Sequence, residues 1–427
     1  MSTPHARPRS ALLLLAYLAF VSLGLPDGLI GVGWPSMSND FGVPTAAVGL
    51  VLTAGTAGYL TSSVLAGFTL ARLGVGWLLA GSTLLAALAL TGYTVSPVLA
   101  VVIGSAVVLG LGSGAIDSGL NAYAAGAFGP RHMNWMHAFF GLGVAIGPLI
   151  MTGALGAGLS WRWGYGIVAA AQLALATAFA LSVRAWRQRT PAPVPDPPAD
   201  PAAPVGAVGD AVSGPVGSVG VVAEAVTPNA VRPVPVRETL RLPAVWLGAL
   251  AFAVYVAIEV AAGLWAFLLL TEGRGLTDAA AGLCVSAYWG SLFVGRVVQG
   301  VVAERLGAGR VLRASLVGMA GGAALIAVPA PAWLAVAGLV VVGFSAAPVF
   351  PLLTLTTAER VGAAHADRTI GLQIGTSALG ASLVPAGIGV LMSHTSVQAL
   401  GSGLLVLAVA LIVLHAAASR RPARVTG

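Results

Sequence analysis

The chain has 427 residues, of which 57% are hydrophobic and only 8% carry a charge. This composition excludes an ordinary soluble domain and indicates an integral membrane protein. A single cysteine, Cys284, excludes an intramolecular disulfide and a cysteine-based metal cluster. The sequence also lacks a phosphate-binding loop or a plausible nucleophile, so we expect no enzyme, no metal site and no cofactor.

Twelve apolar stretches are each long enough to cross a bilayer, which takes about 20 residues of helix. They are centred near residues 22, 55, 86, 110, 145, 174, 255, 290, 319, 344, 380 and 407. The first stretch follows Arg7 and Arg9 and is too long for a signal peptide, so we expect it to be retained. The sequence therefore predicts an all-α membrane protein with twelve transmembrane helices.

The basic residues are all arginines, and most of them fall on alternate connections between the stretches. Only Arg162 and Arg274 lie on the opposite connections. The positive-inside rule then places both termini in the cytoplasm of a multi-pass inner (plasma) membrane protein. We interpret the net charge of +7 as this orientation signal and not as a nucleic-acid surface. The expected partners are the lipid bilayer and a small solute, bound by a monomer.

A segment rich in proline, alanine, valine and glycine separates the sixth stretch from the seventh. It has no helical period, which predicts a disordered cytoplasmic linker over residues 186–241. The linker divides the chain into two halves of six helices, residues 1–185 and 242–427.

The two halves share an internal repeat. "VLAGFTLARLGVGWLL" (64–79) aligns with "VVQGVVAERLGAGRVL" (297–312), each after the second helix of its half. The alignment pairs Gly67 with Gly300, Arg72 with Arg305, and Gly74 with Gly307. Duplicated six-helix halves of this kind place a solute site at their interface near the bilayer midplane.

This glycine-rich, arginine-bearing loop resembles the signature of the major facilitator superfamily, and the resemblance extends over all twelve helices. It implies the major facilitator fold, alternating access and a gating role for the two loops. Ala71 stands where the family commonly has an acidic residue, although Glu304 supplies one in the second copy. Loop geometry and helix packing are therefore the expected roles of these glycines.

Three acidic residues, Asp27, Asp117 and Glu259, lie well inside the apolar stretches. A charge at the centre of a membrane helix costs roughly 2.5 to 3.5 kcal/mol on insertion scales, so each is a functional candidate. Asn121 lies one helical turn after Asp117 on the same face. His137 enters on the fifth helix at a similar depth, and the sequence predicts that these side chains line one cavity wall.

Four motifs, "GLPDGLIGVGW", "GSGAIDSGLNAYAAG", "MNWMHAFFGLGVAIGP" and "YVAIEVAAGLW", resemble the fucose and glucose/mannose proton symporters of that superfamily. The resemblance implies proton coupling by Asp27 and Asp117 and sugar binding by Asn121 and His137. His137 replaces an amide found in fucose-type members. We add four further residues to the expected sugar site, namely Tyr255, Glu259, Trp265 and Gln373, the last being the repeat counterpart of His137.

Each candidate also has a structural interpretation. In this interpretation Asp117 would pair with Arg296 or cap a broken helix, and Asp27 would cap a break after Pro26. Asn121 would form a hydrogen bond between helices, and His137 would be a packing residue. For function, the favoured hypothesis is a secondary active transporter that imports a sugar with protons, with sodium coupling left open. The alternatives are a proton-coupled exporter of drugs or metabolites and a non-transporting membrane sensor.

Overall fold

The computed structural model describes residues 10–128, 130–186 and 235–419, and every regular element in these ranges is helical. Eleven helices are long and apolar enough to cross a membrane. One of them, Val48–Val95, has 48 residues, which is enough for two crossings because a helix rises about 1.5 Å per residue. Gly74 interrupts it with φ 70° and ψ 164°, so these ranges contain the twelve membrane helices predicted from the sequence.

We label the membrane helices in chain order. They are α1 (Ser10–Phe41), α2 (48–73), α3 (75–95), α4 (Leu99–Ala127), α5 (Pro130–Gly156), α6 (Trp161–Ser182), α7 (Pro243–Leu268), α8 (Asp278–Leu306), α9 (Ala308–Ala327), α10 (Ala332–Ala346), α11 (Ala363–His394) and α12 (Ala399–Ser419). A π-helical turn, Leu269–Gly273, extends α7, and the short helices Val349–Leu355 and Thr357–Val361 connect α10 to α11.

Most of the predicted linker, residues 187–234, lies outside the described residues. Its beginning and end are described. Val183–Trp186 is a 3-10 helix with a buried tryptophan, and Val236–Leu240 is a short α-helix just before α7. The predicted linker boundaries at 186 and 241 therefore fall within or next to ordered turns.

The repeat found in the sequence corresponds to a repeated backbone feature. Gly74 separates α2 from α3, and Gly307 separates α8 from α9 with φ 87° and ψ 139°. No atom lies within 4 Å of a Cβ built on either glycine. The positive φ, and not a lack of space, therefore favours glycine at both positions. Arg72 and Arg305 are exposed beside these turns, and their gating role stays a prediction.

Glycines bring α2 and α4 into close contact. A Cβ at Gly110 would overlap the carbonyl oxygen of Gly55, and one at Gly114 would lie 2.6 Å from the carbonyl oxygen of Tyr59. Small residues are what allow membrane helices to approach so closely. This contact holds Tyr59 against α4, near the predicted site.

The two halves meet most closely on one side of the bundle. The described ends of α1, α6, α7 and α12 that flank the termini and linker lie on one side, called here the linker side, because the helices alternate in direction. On the opposite, far side, a Cβ at Gly31 would lie 2.9 Å from the Gly263 carbonyl oxygen. A Cβ at Gly282 would likewise overlap the Thr152 hydroxyl.

Toward the linker side the halves separate. Asp27 and His137 are both exposed although they lie well inside α1 and α5. Since α1 meets α7 and α5 meets α8 on the far side, we infer that the space these side chains face opens toward the linker side. The structure thus contains a cavity between the halves with access from one side.

Candidate functional site

Asp117 lies at the centre of a hydrogen-bonded cluster on the N-terminal wall of the cavity. Its Oδ2 accepts a hydrogen bond of 2.6 Å from the Tyr59 hydroxyl on α2. Its Oδ1 accepts one of 2.9 Å from the Asn121 side-chain amide, one turn along α4. Each carboxylate oxygen therefore has a donor, and two helices fix the orientation of the group.

The Asn121 amide has one hydrogen-bonding atom to spare. Because the nitrogen must donate to the Asp117 carboxylate, the amide oxygen points elsewhere. That oxygen is buried and has no hydrogen-bond partner among the described residues. A buried, unpartnered acceptor is costly, so this oxygen would gain from a hydrogen-bond donor that becomes available in another conformation or with a bound solute.

Asp27 lies deep within α1 and still faces the open cavity. It is close enough to Tyr59 and Tyr93 to interact electrostatically with both. Tyr59 therefore interacts with both acidic residues, through a direct hydrogen bond to Asp117 and electrostatically with Asp27. The α1 helix runs without a break through Pro26, so Asp27 does not cap a helix break as one interpretation of the sequence held.

Glu259 organises the C-terminal wall of the cavity. Its carboxylate accepts a hydrogen bond from the Tyr255 hydroxyl one turn earlier on α7. The Tyr288 hydroxyl donates to the Glu259 backbone carbonyl at 2.7 Å. Arg296 on α8 lies 3.7 Å from the carboxylate. Arg296 therefore pairs with Glu259, and the structural interpretation that paired it with Asp117 is not observed.

His137 is exposed on α5, across from these groups. Its ring packs edge-on against Phe20, with centroids 5.2 Å apart. It is close enough to Asp117 and Arg296 to interact electrostatically with both. The structure thus brings Asp27, Asp117 and His137 to one cavity; Asn121 bonds to Asp117, and Glu259 lies next to Arg296.

Trp265 and Gln373, two residues predicted for the sugar site, are buried between helices in the structure. The Trp265 indole donates to the Pro385 carbonyl oxygen at 2.9 Å and the side chain is buried between α7 and α11. Gln373 is 2% exposed and accepts a hydrogen bond of 3.1 Å from the Thr357 hydroxyl. The structure does not bring either side chain to the cavity together with Asn121. Tyr255 is buried as well, and it touches the site only through Glu259.

Sequence reasoning missed Tyr59 and Tyr288. Both lie in apolar helices with no acidic residue at helical spacing, so no local pattern marks them. A phenol near the middle of a membrane helix was the only available signal, since its hydroxyl needs a partner there. Within the described residues, no group of three or more histidine, cysteine or acidic side chains is arranged to hold a metal ion.

Two six-helix halves with polar side chains gathered between them are the arrangement found in secondary transporters. The sequence pattern of the Major Facilitator Superfamily matches residues 16–385 and, in a second match, residues 251–426. The chain belongs to this family. It is a transporter and not an enzyme.

Solved structures support the fold. The chain is similar to a mutant of the nucleoside transporter NupG, with 14% identity, a TM-score of 0.70, and coverage of 95% of this chain and 100% of that one. It is similar to the peptide transporter POT in complex with sulfate, with 16% identity, a TM-score of 0.71, and coverage of 98% and 97%. A search of curated proteins finds no significant match. The structural neighbours are not specifically fucose or glucose symporters, so the finer resemblance seen in the sequence stays a prediction.

Proposed function

We propose that this transporter imports a monosaccharide together with protons by alternating access. The observation that carries the proposal is the Asp117 carboxylate, held by Tyr59 and Asn121 inside a cavity at mid-membrane. An acidic group in this position is a candidate for proton exchange by default. The sequence motifs around Asp27 and Asp117, which resemble those of proton-coupled sugar transporters, support the same role.

The surrounding polar groups suit a solute rich in hydroxyls. The Asn121 amide oxygen in the N-terminal half is an acceptor without a partner in the described part of the chain, and the Glu259 carboxylate in the C-terminal half lies beside Arg296. A sugar presents several donors and acceptors on one small ring, so it satisfies acceptors on both walls at once. The ability to bridge the two halves is what a solute needs to stabilise the occluded state.

Proton coupling follows from the position of the charge. Protonation of Asp117 removes a buried charge and so lowers the free energy of closing the cavity around it. If sugar binding also favours closure, the two ligands bias the same conformational equilibrium and are thermodynamically linked. Asp27, exposed in the same cavity and close to Tyr59, is the second group proposed for this role.

A second candidate function is the export of a cationic drug or metabolite in exchange for protons. Three acidic groups, those of Asp27, Asp117 and Glu259, accompany one arginine, Arg296, at the cavity, and this excess favours a positively charged solute. In this case the solute and the protons would move in opposite directions.

Uptake into proteoliposomes with an imposed pH gradient tests these proposals. We expect an inward proton gradient to drive accumulation of at least one labelled monosaccharide, with solute-dependent proton entry. Nucleosides and dipeptides serve as comparison solutes, since structural neighbours carry those names. Accumulation of a cationic amphiphile under an outward proton gradient would favour the exporter. A lack of accumulation with every solute would favour a sensor.

A further inference from the structure

Arg296 makes one of the contacts between the two halves beside the cavity. It lies on α8, in the C-terminal half, and its side chain is 22% exposed. Its Nη2 lies 3.7 Å from the Glu259 carboxylate within the same half. Its Nη1 donates a hydrogen bond of 3.4 Å to the His137 backbone carbonyl on α5, in the N-terminal half. One guanidinium therefore contacts both walls.

The contact lies toward the linker side of the seam between α5 and α8. On the far side, α8 packs against α5 at Gly282 and Thr152. Nearer the middle, the Ser286 hydroxyl donates to the Ala145 carbonyl oxygen at 2.6 Å. Beyond it, Phe293 lies against Gly141, and Arg296 contacts His137.

Gly141 leaves room for this contact. It lies one turn after His137 on α5, and a Cβ built on it would be 3.7 Å from the Arg296 Nη1. The same Cβ would be 3.8 Å from the Phe293 Cβ, so alanine fits at ordinary contact distances, whereas a longer side chain would press on both the guanidinium and Phe293. The chain thus offers a way to disturb Arg296 without removing any charge, provided that the effect on Phe293 is measured separately.

We propose that Arg296 is a positioning residue that links occupancy of Glu259 to opening of the α5–α8 seam. The planar guanidinium of arginine can donate to two acceptors through different nitrogens. The single ammonium group of a lysine does this less well. A solute that donates hydrogen bonds to Glu259 competes with Arg296 for the carboxylate. Arg296 then holds the His137 carbonyl less firmly, and the conformation in which the far side opens becomes more populated. The inference rests on the proposed function, because Glu259 belongs to the proposed solute site.

The test uses alkylation of a cysteine placed in the seam. Cys284→Ser removes the only native cysteine, and Thr152→Cys places one against Gly282 on the far side. In the purified protein without solute, the rate of reaction with a hydrophilic maleimide reports opening of that side. We expect Arg296→Gln to raise the rate by on the order of tenfold, as for the loss of one charge-assisted hydrogen bond. Arg296→Lys should give a smaller increase.

Further variants give the proposal its controls. Glu259→Gln should raise the rate as Arg296→Gln does, and the double variant should exceed neither, because both changes break one linkage. Gly141→Leu should raise the rate in the reference protein and by less in an Arg296→Gln background, because its side chain reaches Phe293 on α8 as well as the guanidinium. Gly141→Ala should leave the rate within about twofold of the reference. Size-exclusion chromatography first verifies that each variant elutes at the same volume as the reference protein.

Unchanged rates in both Arg296→Gln and Gly141→Leu would overturn the proposal, as would fully additive effects of Arg296→Gln and Glu259→Gln. A transported solute should raise the rate in the reference protein and not in Arg296→Gln, and equal increases in both also contradict the linkage. Because the first measurements contain no solute, a failure of the sugar assignment leaves their outcome unaffected. The two proposals therefore fail separately.

Discussion

The Tyr59 hydroxyl on α2 donates a 2.6 Å hydrogen bond to the Asp117 carboxylate on α4, at the place where glycines bring the two helices together. The same phenol interacts electrostatically with Asp27 on α1. A change of charge at either acid therefore alters the interactions of Tyr59, which belongs to α2. This helix also packs against the C-terminal half, since a Cβ at Gly49 would overlap Ala386 on α11.

Tyr59→Phe removes this hydrogen bond and keeps the ring. Because Asp117 loses one of its two donors, we expect accumulation driven by a pH gradient to fall by about tenfold, in line with a hydrogen bond to a charged group. Solute exchange without a gradient should change by less than about twofold, because the remaining cavity is unaltered. Tyr165→Phe is the matched control, since the Tyr165 hydroxyl is buried without a partner among the described residues. Equal losses in the two variants would contradict the role of Tyr59.

We expect Asn121→Ala to weaken mainly solute binding and Gln373→Ala to lower mainly the stability of the fold. Loss of the Asn121 amide removes the free acceptor, so we expect the KM for the solute to rise by roughly five- to tenfold. Gln373 is buried and bonded to Thr357, so its loss should lower the free energy of unfolding by about 1 to 3 kcal/mol with little change in KM. Uptake kinetics and thermal unfolding of both variants test this. A larger KM effect for Gln373→Ala would return that residue to the solute site.

Alanine substitutions of two glycines in α4 should differ in their effect on stability, depending on whether the glycine contacts another helix. Gly110→Ala places a methyl group on the Gly55 carbonyl oxygen, so we expect it to destabilise the protein by about 1 to 3 kcal/mol. Gly104 has no atom within 4 Å of a built Cβ, and Gly104→Ala should be neutral or slightly stabilising. Thermal unfolding in detergent compares the two. Equal melting temperatures would mean that the α2–α4 approach is looser than the structure describes.

The turn glycines offer a test of the repeat. Gly74→Ala and Gly307→Ala should each cost about 1 to 2 kcal/mol of stability, because both positions have positive φ. Gly309→Ala, in the first turn of α9 with no atom within 4 Å of a built Cβ, is the control and should not destabilise. If the turn variants unfold at the reference temperature, backbone conformation is not the reason for glycine there.

The helices were predictable from the sequence because, inside a bilayer, the backbone N–H and C=O groups of a span must be hydrogen-bonded within that span. A sufficiently long apolar stretch therefore forms a helix whichever helices surround it. The turn between α2 and α3 was predictable as well, since the repeat placed Gly74 over Gly307. The position of Asn121 on the same helix face as Asp117 was predictable from helical spacing. In the structure the two side chains are hydrogen-bonded, which the spacing allowed but did not specify.

Contacts between distant helices could not be predicted in the same way. The Tyr59–Asp117 bond depends on how α2 rotates against α4, and that rotation is set by Gly110 and Gly114. Gln373 was expected in the cavity because it aligns with His137 in the repeat, but its face of α11 turns toward Gly248 on α7. An alignment of halves gives the depth of a residue in the membrane and does not give the direction of its side chain.

The proposed role of Asp117 as the proton-exchanging group is tested most directly by measuring solute-dependent proton entry into vesicles that contain Asp117→Asn protein. Asparagine keeps the size of the side chain and the contact with Tyr59, but it cannot exchange a proton at neutral pH. We predict that solute no longer drives proton entry, and that a pH gradient no longer drives accumulation, while exchange of the solute continues. Asp27→Asn and Glu259→Gln are measured beside it, and Glu259→Gln should weaken binding more than coupling. Solute-dependent proton entry at the normal rate in Asp117→Asn vesicles would contradict this account and leave Asp27 as the coupling group.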